Sequence, residues 1–128
     1  MKLDLSDVTL CAGANLALTA RALHLSTERC KFAEAVLFSY ERLDGDFRTV
    51  IGPKFSRASY QAFRIKPPPT VETPFALFIE WMANVLEPRA WDPSFREYDY
   101  IGARWPGPLP GVPGQTVGNS GFCLQSKN

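Results

Sequence analysis

A run of five apolar residues, Phe75 to Ile79 (FALFI), constrains the fold more than any other part of this 128-residue chain. The run has no alternation of polar and apolar side chains, so it predicts a strand that is covered on both faces. Strands of this kind lie in the middle of parallel sheets, and parallel strands must be joined by crossover segments, which are usually helices. Strand-like and helix-like segments alternate along the chain, so the sequence predicts an α/β fold.

The other strands are predicted from shorter apolar or β-prone runs. We expect a mainly parallel sheet with flanking helices, arranged in three layers. Its strands are predicted near residues 7–12, 35–39, 74–80 and 98–103, with two weaker strands near 47–51 and 120–124. The first two strands enclose a helical segment, so the chain opens with a βαβ unit.

Three helices are predicted. The first covers residues 16–30, with Asn15 as its N-cap, and its buried face is expected to contain Leu16, Ala20, Leu23 and Thr27. The second covers 57–65 and is ended by the prolines at 67–69, and a short third helix is expected at 91–97.

Charge and cysteine content limit the partners of the chain. Fourteen Lys and Arg residues against thirteen Asp and Glu give a net charge of +1, and the basic residues are scattered. A nucleic-acid partner is therefore not expected, because phosphate contacts need clustered positive charge. Cys11, Cys30 and Cys123 form no C-x-x-C pair, and His24 has no neighbouring ligand type, which argues against a zinc site or a disulfide framework.

The N-terminal segment MKLDLSDVTL carries Asp4 and Asp7 where a signal peptide would need an apolar core. No apolar run approaches the length of a membrane span. An odd number of cysteines favours a reducing compartment. We therefore expect a cytoplasmic protein that has no membrane partner.

Candidate binding residues follow the predicted strands. In open α/β sheets, ligands bind beyond the carboxyl ends of the strands. The residues at those places are Ala12 to Asn15, Ser39 and Tyr40, Glu80 to Asn84, and Gly118 to Gly121. Glu80 is the most informative, because a carboxylate there could bind a divalent cation that bridges phosphates. The alternative is that Glu80 only marks the exit of the strand into solvent.

A loop rich in Pro and Gly separates the last two strand candidates. Seven of the nine residues in 106–114 are Pro or Gly, which predicts an irregular connection. The segment before the loop reads EYDYIGARW and the segment after it reads VGNSGFCLQS. Loops of this kind usually serve a surface or a binding site.

These two segments resemble parts of an uncharacterised glycosyltransferase-like domain family with the GT-A nucleotide-diphospho-sugar transferase fold. Further blocks are similar to that family in the same order, namely VTLCAGANLALTARAL, CKFAEAVLFS, SYQAF and the long block that begins VETPFALFIEW. The family's domains continue well past the last motif. The resemblance therefore implies that residues 1–128 form a single truncated domain, without the half expected to carry acceptor contacts and the catalytic base.

The metal-binding element of the family is altered in this chain. The family's central strand typically ends in Q-x-D-G, which is similar to the D-x-D element of GT-A enzymes. Here Glu80 takes the first position, Met82 stands where the aspartate is expected, and Ala83 replaces the glycine. A thioether is a poor ligand for Mn²⁺ or Mg²⁺. The implied divalent-cation site therefore keeps Glu80, with Asn84 as a helper, and is expected to be weak.

The family's glycine motif typically reads G-N-G-G-F-S-L-R-S, and this chain has GNSGFCLQS, with Ser120 and Gln125 as exchanges. The resemblance implies that Gly118 and Gly121 let the backbone approach the donor sugar and that Asn119 hydrogen-bonds to it. The alternative is a Gly-rich hairpin turn that binds no ligand.

Two classes of function are consistent with these features. The first is a nucleotide-sugar-binding domain of glycosyltransferase type, whose donor is a nucleotide-diphospho-sugar. Its binding residues are expected to be Ala12, Asn15, Ser39, Glu80, Gly118, Asn119 and Gly121. The second is a non-catalytic interaction module, in which a second copy or a partner chain covers the truncated sheet.

Overall fold

The computed structural model describes residues 2–13, 17–65, 67–80, 83–104 and 117–127. The strands are β1 (Leu3–Gly13), β2 (Cys30–Ser39), β3 (Arg48–Ile51), β4 (Phe75–Ile79), β5 (Tyr100–Arg104) and β6 (Val117–Ser126). The helices are α1 (Ala17–Arg29) and α2 (Arg57–Ile65), with two short 3-10 helices at Pro88–Ala90 and Pro93–Glu97. None of the helices in the described ranges is long and apolar enough to cross a membrane.

The strands form one six-stranded sheet in the order β3-β2-β1-β4-β6-β5. The pairs β3–β2, β2–β1 and β1–β4 are parallel, and β6 is antiparallel to both β4 and β5. This arrangement confirms the predicted α/β fold with a mainly parallel sheet. Each predicted strand is found, although β1 and β2 begin several residues earlier than the apolar runs indicated, because Leu3 to Leu5 pair with Cys30 to Phe32.

The two faces of the sheet carry separate apolar cores, as side-chain alternation along the strands requires. On the α1 side, Leu77 and Ile79 of β4 pack in a cluster with Leu23 of α1. On the α2 side, Ala76 and Phe78 pack in a second cluster, to which Phe63 of α2 belongs. Strand β4 is therefore covered on both faces, which confirms the prediction made from its apolar run.

The buried face of α1 differs from the predicted one. The buried residues of this helix are Thr19, Ala22, Leu23 and Ser26, so of the predicted set only Leu23 is fully buried among the described residues. Leu18 is 48% exposed, and Asn15 and Leu16 lie outside the described residues. Ser26 has a specific partner on the buried side: its hydroxyl accepts a hydrogen bond of 3.1 Å from the Val85 N–H.

Helix α2 has the predicted bounds, and local hydrogen bonds explain where it starts. The Ser59 N–H donates to the Ser56 hydroxyl over 3.1 Å, and the Ser56 N–H donates to the Ser59 hydroxyl over 2.8 Å. This reciprocal pair satisfies two backbone donors that would otherwise lack partners at the start of the helix.

Residues 84–97, here called the covering segment, lie over the sheet on the α1 side, and the short helix predicted at 91–97 is its second 3-10 helix. The Asp92 carboxylate caps that helix by accepting from the Ser94 N–H over 2.9 Å. Trp91 and Phe95 pack edge to face, with ring centroids 5.2 Å apart. Arg96 donates two hydrogen bonds, of 2.6 and 2.9 Å, to the Asp7 carboxylate and so ties the covering segment to β1.

Asp7→Asn should lower the midpoint of urea unfolding at about pH 7, by an amount equivalent to at most about 1 kcal/mol because both side chains are partly exposed. The Arg96 guanidinium holds the pKa of the Asp7 carboxyl below its ordinary value. The pair therefore contributes stability above the unfolded-state pKa of about 3.9, and this contribution is lost as the pH falls through the lower folded-state pKa. The difference in urea midpoint between the Asp7→Asn variant and the wild type should therefore disappear at acidic pH.

The exposed residue Asp44 provides the matched control, and Asp44→Asn should leave the midpoint nearly unchanged throughout the titration. A gap that persists in acid, or an equal effect of the two substitutions, would contradict this account of the Asp7–Arg96 pair.

Candidate functional site

The candidate site lies at the sheet edge where the parallel strands end. Gly13, Ser39, Ile51 and Ile79 are the last residues of β1 to β4, and the antiparallel β6 begins at the same edge. Ala12, Ser39 and Glu80 lie at this edge as predicted, and residues 118–121 lie in the first half of β6. Asn15, Met82 and the loop at 106–114 lie outside the described residues.

The predicted binding residues at this edge face both sides of the sheet. Ala12 is buried in the core on the α1 side, and Ser39 points to the same side, because Phe38 before it packs on the α2 side. The Ser39 hydroxyl accepts a hydrogen bond of 3.2 Å from the Glu41 N–H. Glu80 follows Phe78 by two residues and therefore lies on the α2 side, on the opposite face from Ala12 and Ser39.

Glu80 is engaged in an ion pair with Arg64, which belongs to the last turn of α2. The Arg64 Nη1 donates to the Glu80 Oε1 over 2.5 Å. The two side chains are only 26% and 21% exposed, so this pair is partly shielded from water. Partial shielding strengthens the attraction between the charges, and a cation at the carboxyl end of a helix also interacts favourably with the helix dipole.

Tyr60 completes this polar cluster from one helical turn before Arg64. The Arg64 guanidinium lies over the Tyr60 ring, 5.3 Å from its centroid. The Tyr60 hydroxyl lies close enough to Arg64 and Glu80 for both charges to affect its pKa. Burial, and then the charge of Glu80, raises the pKa of the Tyr60 phenol, so the phenol stays protonated and keeps a proton to donate.

Gln125 of β6 fixes the end of α2 above the sheet. Its Nε2 donates to the Arg64 backbone carbonyl over 2.6 Å, and the side chain is buried. This bond satisfies one of the carbonyls that a helix leaves without intrahelical partners at its C-terminus. Gln125 therefore positions the residue that pairs with Glu80. The three side chains of Tyr60, Arg64 and Glu80 together form the edge cluster.

Aromatic rings fill the space beside the edge cluster. The Phe63 ring lies 5.0 Å from that of Phe38 and 5.4 Å from that of Phe78, measured between centroids. A Cβ atom added to Gly13 would lie 2.7 Å from Phe63 and 3.1 Å from Phe55. Gly13 is thus required for the close approach of these rings to the end of β1.

The described residues do not by themselves fit a divalent cation. No group of three His, Cys, Asp or Glu side chains suited to a metal occurs in the described parts of the chain. The Glu80 carboxylate is already neutralised by the Arg64 guanidinium. Asn84, the predicted helper, lies in the covering segment on the other side of the sheet, next to Val85 of the α1-side core.

Among the described residues, the cysteines and His24 supply no ionised nucleophile or base to the edge cluster. The three cysteines are free and buried, and burial raises the pKa of the Cys11 thiol to about 12 and also raises that of Cys123, so both thiols stay protonated at neutral pH. His24 is exposed on α1 and pairs with Glu28 over 3.1 Å.

Sequence reasoning found Glu80 and missed the side chains around it. A usable signal existed: Tyr60 and Arg64 are four residues apart on a helix whose apolar residue Phe63 must face the sheet. Because Phe63 faces the sheet, Arg64 places its positive charge at the end of α2 that lies nearest the sheet edge. The role of Gln125 was not readable, because its partner is a backbone carbonyl 61 residues away along the chain.

Comparison with known proteins finds a similarity to a solved structure. No protein-family model matches the chain, and a search of curated proteins finds no match either. Among solved structures, the chain is similar to 4-diphosphocytidyl-2C-methyl-D-erythritol synthase from Anaerococcus prevotii, with a TM-score of 0.50 and 12% sequence identity. The similarity covers 98% of this chain and 70% of that one.

At this identity the similarity shows the fold alone. It supports the mainly parallel α/β fold of this chain. The glycosyltransferase-like family and its donor remain predictions.

A double-mutant cycle on Arg64→Met and Glu80→Gln should show a coupling free energy of about 1–3 kcal/mol, because removing either partner leaves the other charge partly buried. The matched control is the pair Arg48–Glu34, which has the same residue types and a distance of 2.7 Å but exposed fractions of 48% and 40%. Its coupling should be at most about 1 kcal/mol and should fall at high salt. Equal coupling in the two pairs, measured by urea unfolding, would refute the shielding of the Arg64–Glu80 pair.

Proposed function

We propose that this chain is a glycosyltransferase-like domain that binds a nucleotide-diphospho-sugar at the edge cluster. The α/β fold supports this, since ligands of such sheets bind beyond the carboxyl ends of the strands. The side chains of Ala12 and Ser39 face the other side of the sheet, so their proposed contacts would be through backbone atoms at the strand ends. Asn15 and the 118–121 segment remain the other proposed contacts. The buried free cysteines fit the proposed cytoplasmic location.

The observation that carries the proposal is the Arg64 guanidinium at the mouth of the sheet, partly shielded from water and stacked on Tyr60. A guanidinium presents several donors in a plane that matches phosphate oxygens. A diphosphate arriving at this edge would compete with Glu80 for those donors. The protonated Tyr60 hydroxyl would supply one more donor to the same group.

A divalent cation is not needed in this proposal. Glu80 is neutralised by Arg64, and Met82 contributes a thioether where an oxygen ligand is expected. The proposed binding should therefore differ little with and without Mn²⁺ or Mg²⁺. Positive charge beside the diphosphate would come from Arg64.

Two substitutions in the edge cluster should change nucleotide affinity in opposite directions. Arg64→Met should weaken binding of UDP or GDP about tenfold or more, because a charge-assisted contact is lost. Glu80→Gln should strengthen it, because the carboxylate that competes for Arg64 and repels the diphosphate is removed. Isothermal titration calorimetry without metal measures both changes.

The controls are Arg48→Met and Glu34→Gln, which alter net charge equally at an exposed pair and should leave nucleotide affinity nearly unchanged. Loss of affinity in both edge variants would mean that the pair acts only in stability.

Absence of nucleotide binding in the wild type would favour the non-catalytic module. Tyr98, just before the edge strand β5, is 60% exposed, and Tyr100, within β5, is 40% exposed. These exposed rings at the sheet edge support that second candidate. Sedimentation would then show self-association.

Met82→Asp should create a response to Mn²⁺ that the wild type lacks. A second carboxylate in the D-x-D-like element supplies the missing oxygen ligand, so Mn²⁺ should strengthen UDP or GDP binding by about 1–3 kcal/mol. Adding Glu80→Ala to this variant should abolish the gain, because the two carboxylates would share one ion. Calorimetric titration with and without Mn²⁺ tests both statements, and a Met82→Asp protein that is folded but indifferent to Mn²⁺ would rule out the D-x-D analogy.

A further inference from the structure

A cavity of about 290 Å³ lies on the α1 side of the sheet, on the opposite face from the edge cluster. Its floor is formed by side chains of the sheet, including Leu77, Phe122 and Leu124, and its cover by Trp91 and Phe95 of the covering segment. The cavity is partly open at the surface and its walls are almost wholly apolar, so water inside it would have few hydrogen-bond partners. The proposed nucleotide site does not use it.

The size and lining of the cavity indicate what it could hold. An apolar cavity of about 150 Å³ is known to stay dry and to bind benzene, so this one has room for roughly a dozen carbon atoms. Its sheet side is aliphatic and aromatic, and the edge-to-face pair of Trp91 and Phe95 offers ring surfaces to a planar molecule. Glu87 is the charged residue among the described lining residues, and it is already paired with Arg89. The rest of the described lining is apolar and offers a charged ligand no partner, so a neutral ligand is favoured over an anion.

A polar atom without a partner lies beside this cavity. A second, more open cavity of about 490 Å³ shares Val85, Glu87, Ala90 and Phe122 with the first and is also lined by Asn84. The Asn84 Oδ1 is buried and has no hydrogen-bond partner among the described residues. Buried carbonyl oxygens are nearly always paired, so this atom can accept a bond from a ligand.

We propose that the two adjoining cavities together bind a small neutral aromatic molecule that carries one hydrogen-bond donor. Its rings would lie between Leu77, Phe95 and Phe122, and its donor would bond to the Asn84 Oδ1. This ligand site is independent of the proposed nucleotide site, which is on the other face of the sheet.

Naphthol is a suitable probe, because it combines two fused rings with one hydroxyl group. Two analogues act as controls: methoxynaphthalene keeps the rings and lacks the donor, and naphthalenesulfonate keeps the rings and adds a negative charge. In amide-resolved NMR titrations, naphthol should shift the signals of Leu77, Ile101 and Leu124, which line the cavity. It should bind more tightly than methoxynaphthalene, by about fivefold to tenfold, as expected for one buried hydrogen bond, and naphthalenesulfonate should not bind.

Two variants separate the parts of the proposed site. Ala90 lines both cavities, so the larger side chain of Ala90→Phe should occupy part of the space in each and weaken binding of both neutral probes. Asn84→Leu should remove the preference for naphthol over methoxynaphthalene and leave methoxynaphthalene binding unchanged. Ala58→Phe, at an exposed position on α2, is the control for Ala90→Phe and should bind both probes like the wild type. If Ala90→Phe fails to fold, the preference ratio in Asn84→Leu still decides the proposal.

Equal affinity for naphthol and methoxynaphthalene in the wild type would overturn the role of Asn84. Signals that shift only on the α2 side, or no shifts at all, would overturn the site itself. Shifts of the cavity residues that depend on protein concentration without any probe would show that a second copy of the chain occupies this face, and would also overturn the proposal.

Discussion

Burial of β4 on both faces is the constraint on which the rest of the structure depends. Its five residues give Leu77 and Ile79 to one core and Ala76 and Phe78 to the other. A strand placed in this way needs a neighbour on each edge and a layer over each face, which β1, β6, α1, the covering segment and α2 supply. The next residue, Glu80, leaves the sheet where both cores end, and so it meets the last turn of α2.

The edge cluster is a consequence of that geometry. Phe63 must face Phe78 to close the core on the α2 side, with ring centroids 5.4 Å apart. This contact brings the next residue, Arg64, to Glu80, while Gln125 holds the Arg64 carbonyl from the neighbouring strand. An ion pair at the mouth of an α/β sheet holds the end of α2 to the sheet. In the proposed function, the Arg64 guanidinium of this pair is also the group that would contact the phosphates of the ligand.

The fold was largely predictable from the sequence, and the site was predictable only in outline. Continuous apolar runs and proline breaks mark β4, β2 and the end of α2 locally, because those signals depend on neighbouring residues alone. The face of α1 was predicted wrongly, because Ser26 points inward to satisfy the Val85 N–H, a partner 59 residues away. Gln125 was missed for the same reason, since its partner is the Arg64 carbonyl, 61 residues away along the chain. Arg64 differs, because its spacing from Tyr60 on α2 gave a local signal. Long-range polar contacts set the site, and they leave no periodic pattern.

We propose that the sheet edge at Glu80 receives a nucleoside diphosphate. Amide-resolved NMR titration of the wild-type chain with UDP and with GDP tests this proposal most directly, since each described residue reports its own surroundings. We expect the signals of Tyr60, Arg64, Glu80 and Gln125 to move together in a saturable way, while those of the cavity residues Leu5 and Phe95 stay in place. Saturable movement confined to the α1 side, or no movement with either nucleotide, would contradict it.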